Sequence, residues 1–165
     1  MASLKQQSKL KKIKLVISDV DGVLTDGSMY YSSRGEELKK FHTRDGMGVE
    51  LLLEINIPTV LISKEKSKIV TSRAKKIRVS LTKIGIIKKE NELSKICAKF
   101  NVKPNEVAYI GDDVNDKEIM KLVGFTAAPK DAILSIKKIA NYTCSKKGGE
   151  GAFRELADII ISSKK

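Results

Sequence analysis

Short apolar runs alternate with amphipathic stretches along most of the chain. Runs rich in β-branched residues occur at 15–18, 59–62 and 107–110, with weaker ones at 79–81 and 124–128. Each has the length of a buried strand. Between them, apolar residues recur at the three-to-four spacing of a helix, most clearly at Met47, Leu51 and Leu52; Ile69, Ala74 and Ile77; Leu93, Ile96, Cys97 and Phe100; and Phe153, Leu156, Ile159 and Ile160. The alternation predicts an α/β fold, a doubly wound parallel sheet with helices on both faces.

The segment 26–43 departs from this alternation. Met29 to Tyr31 and Glu37 to Phe41 are strand-like stretches around a Ser-Ser-Arg-Gly turn, which predicts a β-hairpin inserted before the first helix that follows the sheet's first strand. A two-stranded hairpin is only marginally stable in water by itself. We therefore expect another surface to cover it, and a neighbouring subunit is the economical choice.

The composition indicates a single globular domain over residues 1–165. The chain is 41% hydrophobic and 32% charged, as in soluble domains, and no apolar run approaches the roughly 20 residues of a membrane helix. Residues 1–13 are basic and lack the apolar core of a signal peptide, so we expect a flexible N-terminus and a cytoplasmic protein. Cys97 and Cys144 lack metal-ligand spacing and are expected to be reduced thiols.

The formal net charge of +12 raises the possibility of a polyanionic partner. The lysines are scattered, however, apart from a group near the N-terminus and a pair at the C-terminus. Aromatic residues make up only 5% of the chain and tryptophan is absent from its sequence, so stacking platforms for single strands are scarce. We expect neither a nucleic-acid nor a membrane partner.

Two carboxylates follow the first predicted strand: Asp19 and Asp21, with Gly22 directly after them. Ligands of open α/β sheets bind at the carboxyl ends of strands. Acids this close repel each other unless a cation lies between them, one of them holds a proton, or the two have different chemical roles. A divalent metal, with one acid as nucleophile and the other as proton donor, would meet these demands. The alternative is that both acids only cap a helix after the strand.

Further polar residues follow later strands or open a helix after them. In chain order they are Ser63, Lys89, Asp112, Asp113 and Asp116. The complete order, DxDG, serine, lysine and GDDxxD, resembles the haloacid dehalogenase superfamily of phosphatases. Phosphoryl transfer needs an in-line nucleophile, a bridging metal, and donors on the remaining phosphate oxygens, and this set contains each of them.

The resemblance implies a role for each catalytic residue. Asp19 would attack phosphorus and form an aspartyl-phosphate, and Asp21 would protonate the leaving alkoxide and later activate water. Ser63 would donate to a phosphate oxygen, and Lys89 would balance charge on the phosphate and the nucleophile.

The implied cofactor is Mg²⁺, which prefers oxygen ligands. Its expected protein ligands are the carboxylates of Asp19 and Asp112 and the backbone carbonyl of Asp21. Asp113 and Asp116 would be auxiliary groups behind these ligands.

A closer resemblance covers nearly the whole chain. VDGVLTDG, the hairpin, FHTRDG at 41–46, VAYIGDDVND and GGEGAFRE at 148–155 are similar to the 3-deoxy-D-manno-octulosonate 8-phosphate phosphatase family. This family implies a domain without a large cap and a homotetramer in which each hairpin covers a neighbour's active site. It also implies a glycine-rich segment that covers the site flexibly, and a sugar-acid phosphate substrate from the synthesis of an anionic surface sugar. His42, the only histidine, is not placed in the site.

The second motif departs from the family's usual Thr-Gly, because it is Ser63-Lys64 and puts a side chain where backbone normally passes. Glu65 follows, and with Arg73 and Lys76 it looks similar to members that act on nine-carbon acids, 2-keto-3-deoxynononate or sialate 9-phosphates. The octulosonate enzymes tend to carry arginine in place of Glu65. The expected substrate-binding residues are Thr25, Glu65, Arg73 and Lys76, and we favour a nine-carbon over an eight-carbon substrate.

Two other classes of protein remain as alternatives. Receiver domains also combine strand-end aspartates with a hydroxyl residue and a lysine, but they place the phosphorylated acid on a later strand than the paired acids. A catalytically silent, phosphatase-like regulatory module of sialic-acid activation is the second alternative. Such modules can lose motif acids, whereas this chain keeps all of them. The pattern therefore favours an active phosphatase.

Overall fold

The structure is a computed structural model that describes residues 4–165, and its centre is a parallel β-sheet. The helices are α1 (Leu4–Leu10), α2 (Thr43–Glu54), α3 (Lys68–Lys76), α4 (Leu93–Phe100), α5 (Lys117–Met120), α6 (Leu134–Ile139) and α7 (Ala152–Ser163). The strands are β1 (Leu15–Ser18), β2 (Tyr30–Ser32), β3 (Gly35–Leu38), β4 (Thr59–Ile62), β5 (Leu81–Lys83), β6 (Val107–Ile110), β7 (Phe125–Ala128) and β8 (Tyr142–Thr143).

Within the described chain the main sheet has six parallel strands in the order β5-β4-β1-β6-β7-β8. The first strand lies in the middle, and the chain winds outward from it first through β4 and β5, then through β6, β7 and β8. This reversal confirms the doubly wound prediction, and it opens a crevice at the carboxyl ends of the strands beside β1.

The core has two layers, one on each face of the sheet. Residues along β1 alternate between them: Val16 packs with α1, α2, α3 and α7, whereas Leu15 and Ile17 pack with α4, α5 and α6. The four central strands β1, β4, β6 and β7 are buried on both faces, as their apolar runs predict. Across residues 4–165 no helix has both the length and the apolar character needed to cross a membrane.

The predicted hairpin is present between β1 and α2. β2 and β3 pair antiparallel, with Ser32 opposite Gly35, and Phe41 forms a further bridge with Thr25. The weak strand predicted at 79–81 begins two residues later, at Leu81, because Val79 is hydrogen-bonded to the last turn of α3: its N–H donates to the carbonyl of Ala74. β8, α5 and α6 have no counterpart among the sequence-based predictions.

The N-terminus differs from its prediction. Residues 1–3 lie outside the described part of the chain, but 4–10 form α1, and Leu10 and Ile13 are fully buried. The ammonium of Lys164 donates to the carbonyls of Lys11 and Ile13, both at 2.7 Å. From residue 4 onward, two apolar side chains therefore anchor to the core the basic segment for which flexibility was expected.

Candidate active site

The carboxyl ends of β1, β4 and β6 open into a cleft of about 330 Å³, which we call the acidic cleft. The sequence-predicted acids and the serine meet there although they are far apart along the chain. The residues that line it are Asp19, Asp21, Gly27, Met29, Ser63, Lys64, Glu65, Asp112, Asp113, Val114 and Asn115. Five of these were not predicted as site residues: Gly27, Met29, Lys64, Val114 and Asn115.

A buried lysine joins two of the acids beneath this cleft. The ammonium of Lys89 lies 2.7 Å from Asp19 Oδ1 and 2.7 Å from Asp116 Oδ1, and its side chain is fully buried. Burial alone would lower the pKa of Lys89, but the two carboxylates outweigh it and hold the pKa above its usual value. Lys89 therefore stays positively charged against Asp19.

Asp116 is engaged through both carboxylate oxygens. Oδ1 accepts from Lys89 and from the hydroxyl of Tyr109 at 2.5 Å, and Oδ2 accepts from the N–H groups of Asp112 (2.9 Å) and Asp113 (3.3 Å). These contacts suit a group that orients the 112–116 turn better than one that binds a metal directly. Asp113 caps the same turn, since its Oδ1 accepts from the N–H of Val114.

Tyr109 takes part in this hydrogen-bond network through Asp116, and it was not predicted from the sequence. It is fully buried in β6. The one feature of the sequence that could have indicated its role is a polar hydroxyl within an apolar strand.

Three carboxylate oxygens could surround a cation. One each from Asp19, Asp112 and Asp116 lie within 4.8 Å of one another. Asp112 Oδ1 is buried and has no hydrogen-bond partner within residues 4–165. Burial, followed by the neighbouring acids, raises the pKa of Asp19 to about 7 and that of Asp112 to about 8. An all-oxygen set that is short of positive charge fits a hard divalent ion.

Gly22 allows the loop after β1 and the loop after β6 to approach each other closely. A Cβ atom at Gly22 would lie 2.0 Å from Asp112 Oδ2, and the residue has a φ of +88°. Both features require glycine directly after the DxD acids.

Asp21 lies at the mouth of the cleft between two donors. Its Oδ1 accepts from the ammonium of Lys39 at 2.5 Å, and its Oδ2 accepts from Ser63 Oγ at 3.3 Å. Burial would lower the pKa of Lys39, but hydrogen bonds to Asp21 and Glu36 raise it overall. Lys39 was not predicted, because the sequence does not distinguish it from Lys40, whose side chain is 59% exposed.

The predicted substrate-binding residues do not all meet at this cleft. Glu65 lines it, but Thr25 is fully buried, and its hydroxyl accepts from the N–H groups of Gly22 (3.3 Å) and Gly27 (3.2 Å). Thr25 therefore organises the loop after β1, and the expectation that it contacts substrate is corrected.

Arg73 and Lys76 line a separate cleft along α3, together with Phe41. The guanidinium carbon of Arg73 lies 5.7 Å from the ring centroid of Phe41. Within one chain, then, these two cations are not brought to Asp19. His42 also lies outside the acidic cleft, where its Nδ1 accepts from the N–H of Arg44 and caps α2.

The glycine-rich segment before α7 is folded into the protein. Gly148 and Gly149 are buried, and the N–H of Gly149 donates to the carbonyl of Val23 at 2.9 Å. A Cβ atom at Gly148 would lie 1.9 Å from the carbonyl oxygen of Gly22. The expected flexible cover is therefore corrected to a support that presses against the loop carrying Asp19 and Asp21.

Comparison with known proteins agrees with this fold. A family model described as haloacid dehalogenase-like hydrolase matches residues 54–156. No cap domain interrupts the described residues, where the hairpin is the insertion after β1. The molecule is therefore a phosphatase of the haloacid dehalogenase-like class.

More specific likenesses come from curated and solved proteins. The 3-deoxy-D-manno-octulosonate 8-phosphate phosphatase of Haemophilus influenzae is 37% identical over 96% of this chain and 88% of that protein. The structure of the Yersinia pestis phosphatase of the same name is 35% identical, covers 98% of this chain and 87% of that one, and has a TM-score of 0.95. The Moraxella catarrhalis enzyme, solved with magnesium ion, phosphate ion and KDO, is 32% identical with coverages of 97% and 92% and a TM-score of 0.93. The chain belongs to this phosphatase family.

Proposed function

We propose that this protein is a Mg²⁺-dependent phosphatase that hydrolyses 3-deoxy-D-manno-octulosonate 8-phosphate. The observation that carries the proposal is the buried Oδ1 of Asp112, which no hydrogen-bond donor of residues 4–165 reaches, beside the Asp19–Lys89 pair at the floor of an open cleft. The likeness to enzymes named for this substrate supports its identity. Location in the cytoplasm is part of the proposal.

Asp19, Asp112 and the backbone carbonyl of Asp21 would hold Mg²⁺, which when bound supplies a Lewis acid that offsets negative charge on the phosphate. Asp116 stays behind them, because its oxygens are already engaged by Lys89, Tyr109 and backbone N–H groups.

The reaction then follows from the remaining contacts. Asp19 attacks phosphorus, the bond to the sugar oxygen breaks, and Asp21 gives its proton to that oxygen. In the second half, Asp21 takes a proton from water as the water oxygen attacks the phosphorus of the aspartyl-phosphate, which frees Asp19 and inorganic phosphate. Ser63 Oγ faces the same cleft and donates to a phosphate oxygen, while Lys89 keeps Asp19 oriented.

A second candidate substrate is a nine-carbon acid, 2-keto-3-deoxynononate or sialate 9-phosphate. Its support is Glu65, which lines the cleft two residues after Ser63. A carboxylate there accepts from hydroxyls or an amide and disfavours a nearby substrate carboxylate. Arg73 and Lys76 would hold the substrate's carboxylate from a neighbouring subunit, since they lie away from the cleft of their own chain.

The experiment is a parallel measurement of kcat/KM on the eight-carbon and nine-carbon phosphates, for wild type and for Glu65→Arg. We expect wild type to favour octulosonate 8-phosphate. A preference for the nine-carbon substrate that Glu65→Arg reverses would transfer the assignment to the second candidate. Absence of phosphate release from both would contradict the proposed substrate class.

A further inference from the structure

A chain of polar contacts connects the hairpin to Asp21. The side chain of Lys39, directly after β3, is fully enclosed, and its ammonium lies 2.5 Å from Asp21 Oδ1 and 2.6 Å from Glu36 Oε1. Glu36 is part of β3, and its Oε2 accepts from Ser67 Oγ, just before α3. The loop after β1, the hairpin and the start of α3 are therefore joined through one buried cation.

Stability alone gives little reason for this arrangement. Lysine is almost never fully buried unless it is paired, because removing its ammonium from water is unfavourable. Buried ion pairs of this kind can often be replaced by apolar residues at no loss of stability. Lys40, the next residue, shows the ordinary arrangement: its side chain is largely exposed and reaches Asp26 at 3.2 Å.

Asp21 is held on both sides. Lys39 fixes Oδ1 and Ser63 Oγ contacts Oδ2, which leaves the carboxylate little freedom to rotate about its side-chain torsions. Asp21 is also among the more exposed of the cleft acids, at 22%, so the packing that immobilises Asp19 does not immobilise it. A proton donor must lie within hydrogen-bond reach of the leaving oxygen, and small displacements reduce its rate strongly.

We propose that Lys39 is a positioning residue. It holds the carboxylate of Asp21 where it can protonate the leaving-group oxygen, and it makes the position of that carboxylate depend on the hairpin. The inference rests on the proposed function, in which Asp21 is the proton donor. It extends the site to a residue of the inserted hairpin in the same chain.

The test compares leaving groups. Lys39→Met, Lys39→Arg, Asp21→Asn and the double variant Asp21→Asn/Lys39→Met are assayed on the better of the two sugar-acid phosphates and on p-nitrophenyl phosphate, whose leaving group needs no proton. Lys40→Met is the matched control from the same stretch of chain. Circular dichroism and thermal unfolding report whether each variant is folded.

We expect Lys39→Met to lower kcat on the sugar-acid phosphate about 10- to 100-fold, and kcat on p-nitrophenyl phosphate by no more than about threefold. KM and the Mg²⁺ concentration for half-activation should stay within about twofold, and Lys39→Arg should recover most of the loss because it keeps the cation. The double variant should be no slower than Asp21→Asn, since both changes act on one group. Lys40→Met should match wild type.

Equal losses on the two substrates, or a double variant slower than Asp21→Asn, would overturn the inference, as would full activity of Lys39→Met. If Asp21→Asn itself shows no leaving-group dependence, the proposed role of Asp21 fails instead. If Lys39→Met does not fold, Glu36→Gln removes the ion pair between Lys39 and β3 and must show the same dependence on the leaving group. Equal effects of Glu36→Gln on both substrates would also overturn the inference.

Discussion

At the scale of single residues, Asp19 combines deep burial with a direct ion pair. Only 4% of the residue is exposed, and Lys89 approaches its Oδ1 at 2.7 Å. An amide at this position keeps the shape of the side chain but removes its charge and most of its nucleophilicity.

We predict that Asp19→Asn abolishes phosphate release, to below about a hundredth of the wild-type rate. Asp158→Asn is a suitable control, because Asp158 is half exposed and pairs with Arg154 outside the acidic cleft. Stopped assays with inorganic phosphate detection provide the measurement. Residual turnover above that limit in a folded Asp19→Asn protein would remove Asp19 from the role of nucleophile.

The raised pKa values of Asp19 and Asp112 predict how metal binding depends on pH. Burial is the main cause of both shifts, which place the two groups at about 7 and about 8. Carboxyls with raised pKa values hold protons at neutral pH in the absence of metal, and a cation must displace them. The apparent dissociation constant for Mg²⁺ should therefore rise as the pH falls from about 8 towards 6, by up to about tenfold per unit for each proton displaced.

Titration calorimetry at several pH values measures this dependence. Exhaustive treatment with EDTA should abolish activity, Mg²⁺ or Mn²⁺ should restore it, and Ca²⁺ should inhibit through its looser coordination. Asp112→Ala should weaken Mg²⁺ binding more than Asp116→Ala does. Activity that survives chelation would contradict the assignment of the cofactor.

At the scale of elements, the segment before α7 supports the loop after β1. Asp45 of α2 is buried and accepts hydrogen bonds from the N–H groups of Gly151 (3.2 Å) and Arg154 (2.9 Å), which caps the N-terminus of α7. This cap fixes the helix, and the glycines ahead of it press against Gly22 and Val23. Backbone packed directly on backbone leaves no space for a side chain.

We predict that Gly148→Ala lowers both stability and kcat, because its methyl group would displace the carbonyl of Gly22. Overpacking of this kind typically costs about 1–3 kcal/mol, which corresponds to a fall in Tm of several degrees. Glu150→Ala, in the exposed part of the same segment, should leave both quantities near wild type. A Gly148→Ala protein with unchanged Tm and kcat would show that the contact is easily relieved.

In the whole molecule, the hairpin exposes several large apolar side chains. Four large apolar residues of this two-stranded ribbon are between 45% and 63% exposed: Met29, Tyr30, Tyr31 and Leu38. They lie close to one another along the ribbon. Surface of this kind beside a site indicates contact with another chain. Arg73 and Lys76, which lie away from their own acidic cleft, are consistent with a site completed across a subunit boundary.

We predict a homotetramer in which each hairpin covers a neighbour's cleft. Light scattering coupled to size exclusion should give about four times the mass of the 18.2 kDa chain. Tyr31→Lys should weaken the assembly and reduce activity together, whereas Lys121→Ala, on α5's exposed end, should affect neither. A monomer that keeps full activity at nanomolar concentration would contradict shared active sites.

The alternation of strands and helices, the inserted hairpin, and the acids that meet at one edge of the sheet could all be predicted from the sequence. This was possible because strand periodicity is local, and because the carboxyl ends of parallel strands meet wherever such a sheet forms. Asp19, Asp21, Ser63 and Asp112 could therefore be placed in one cleft before any coordinates were known.

Which neighbouring groups complete that cleft depends on the folded arrangement of the chain. Lys39 is enclosed and Lys40 is exposed although they are adjacent and identical, because the fold brings two carboxylates to one and solvent to the other. Thr25 turned inward, and the glycines at 148–149 became a support, through contacts with residues distant in the chain. Burial and charge at a position are set by such long-range packing, which local sequence patterns do not contain.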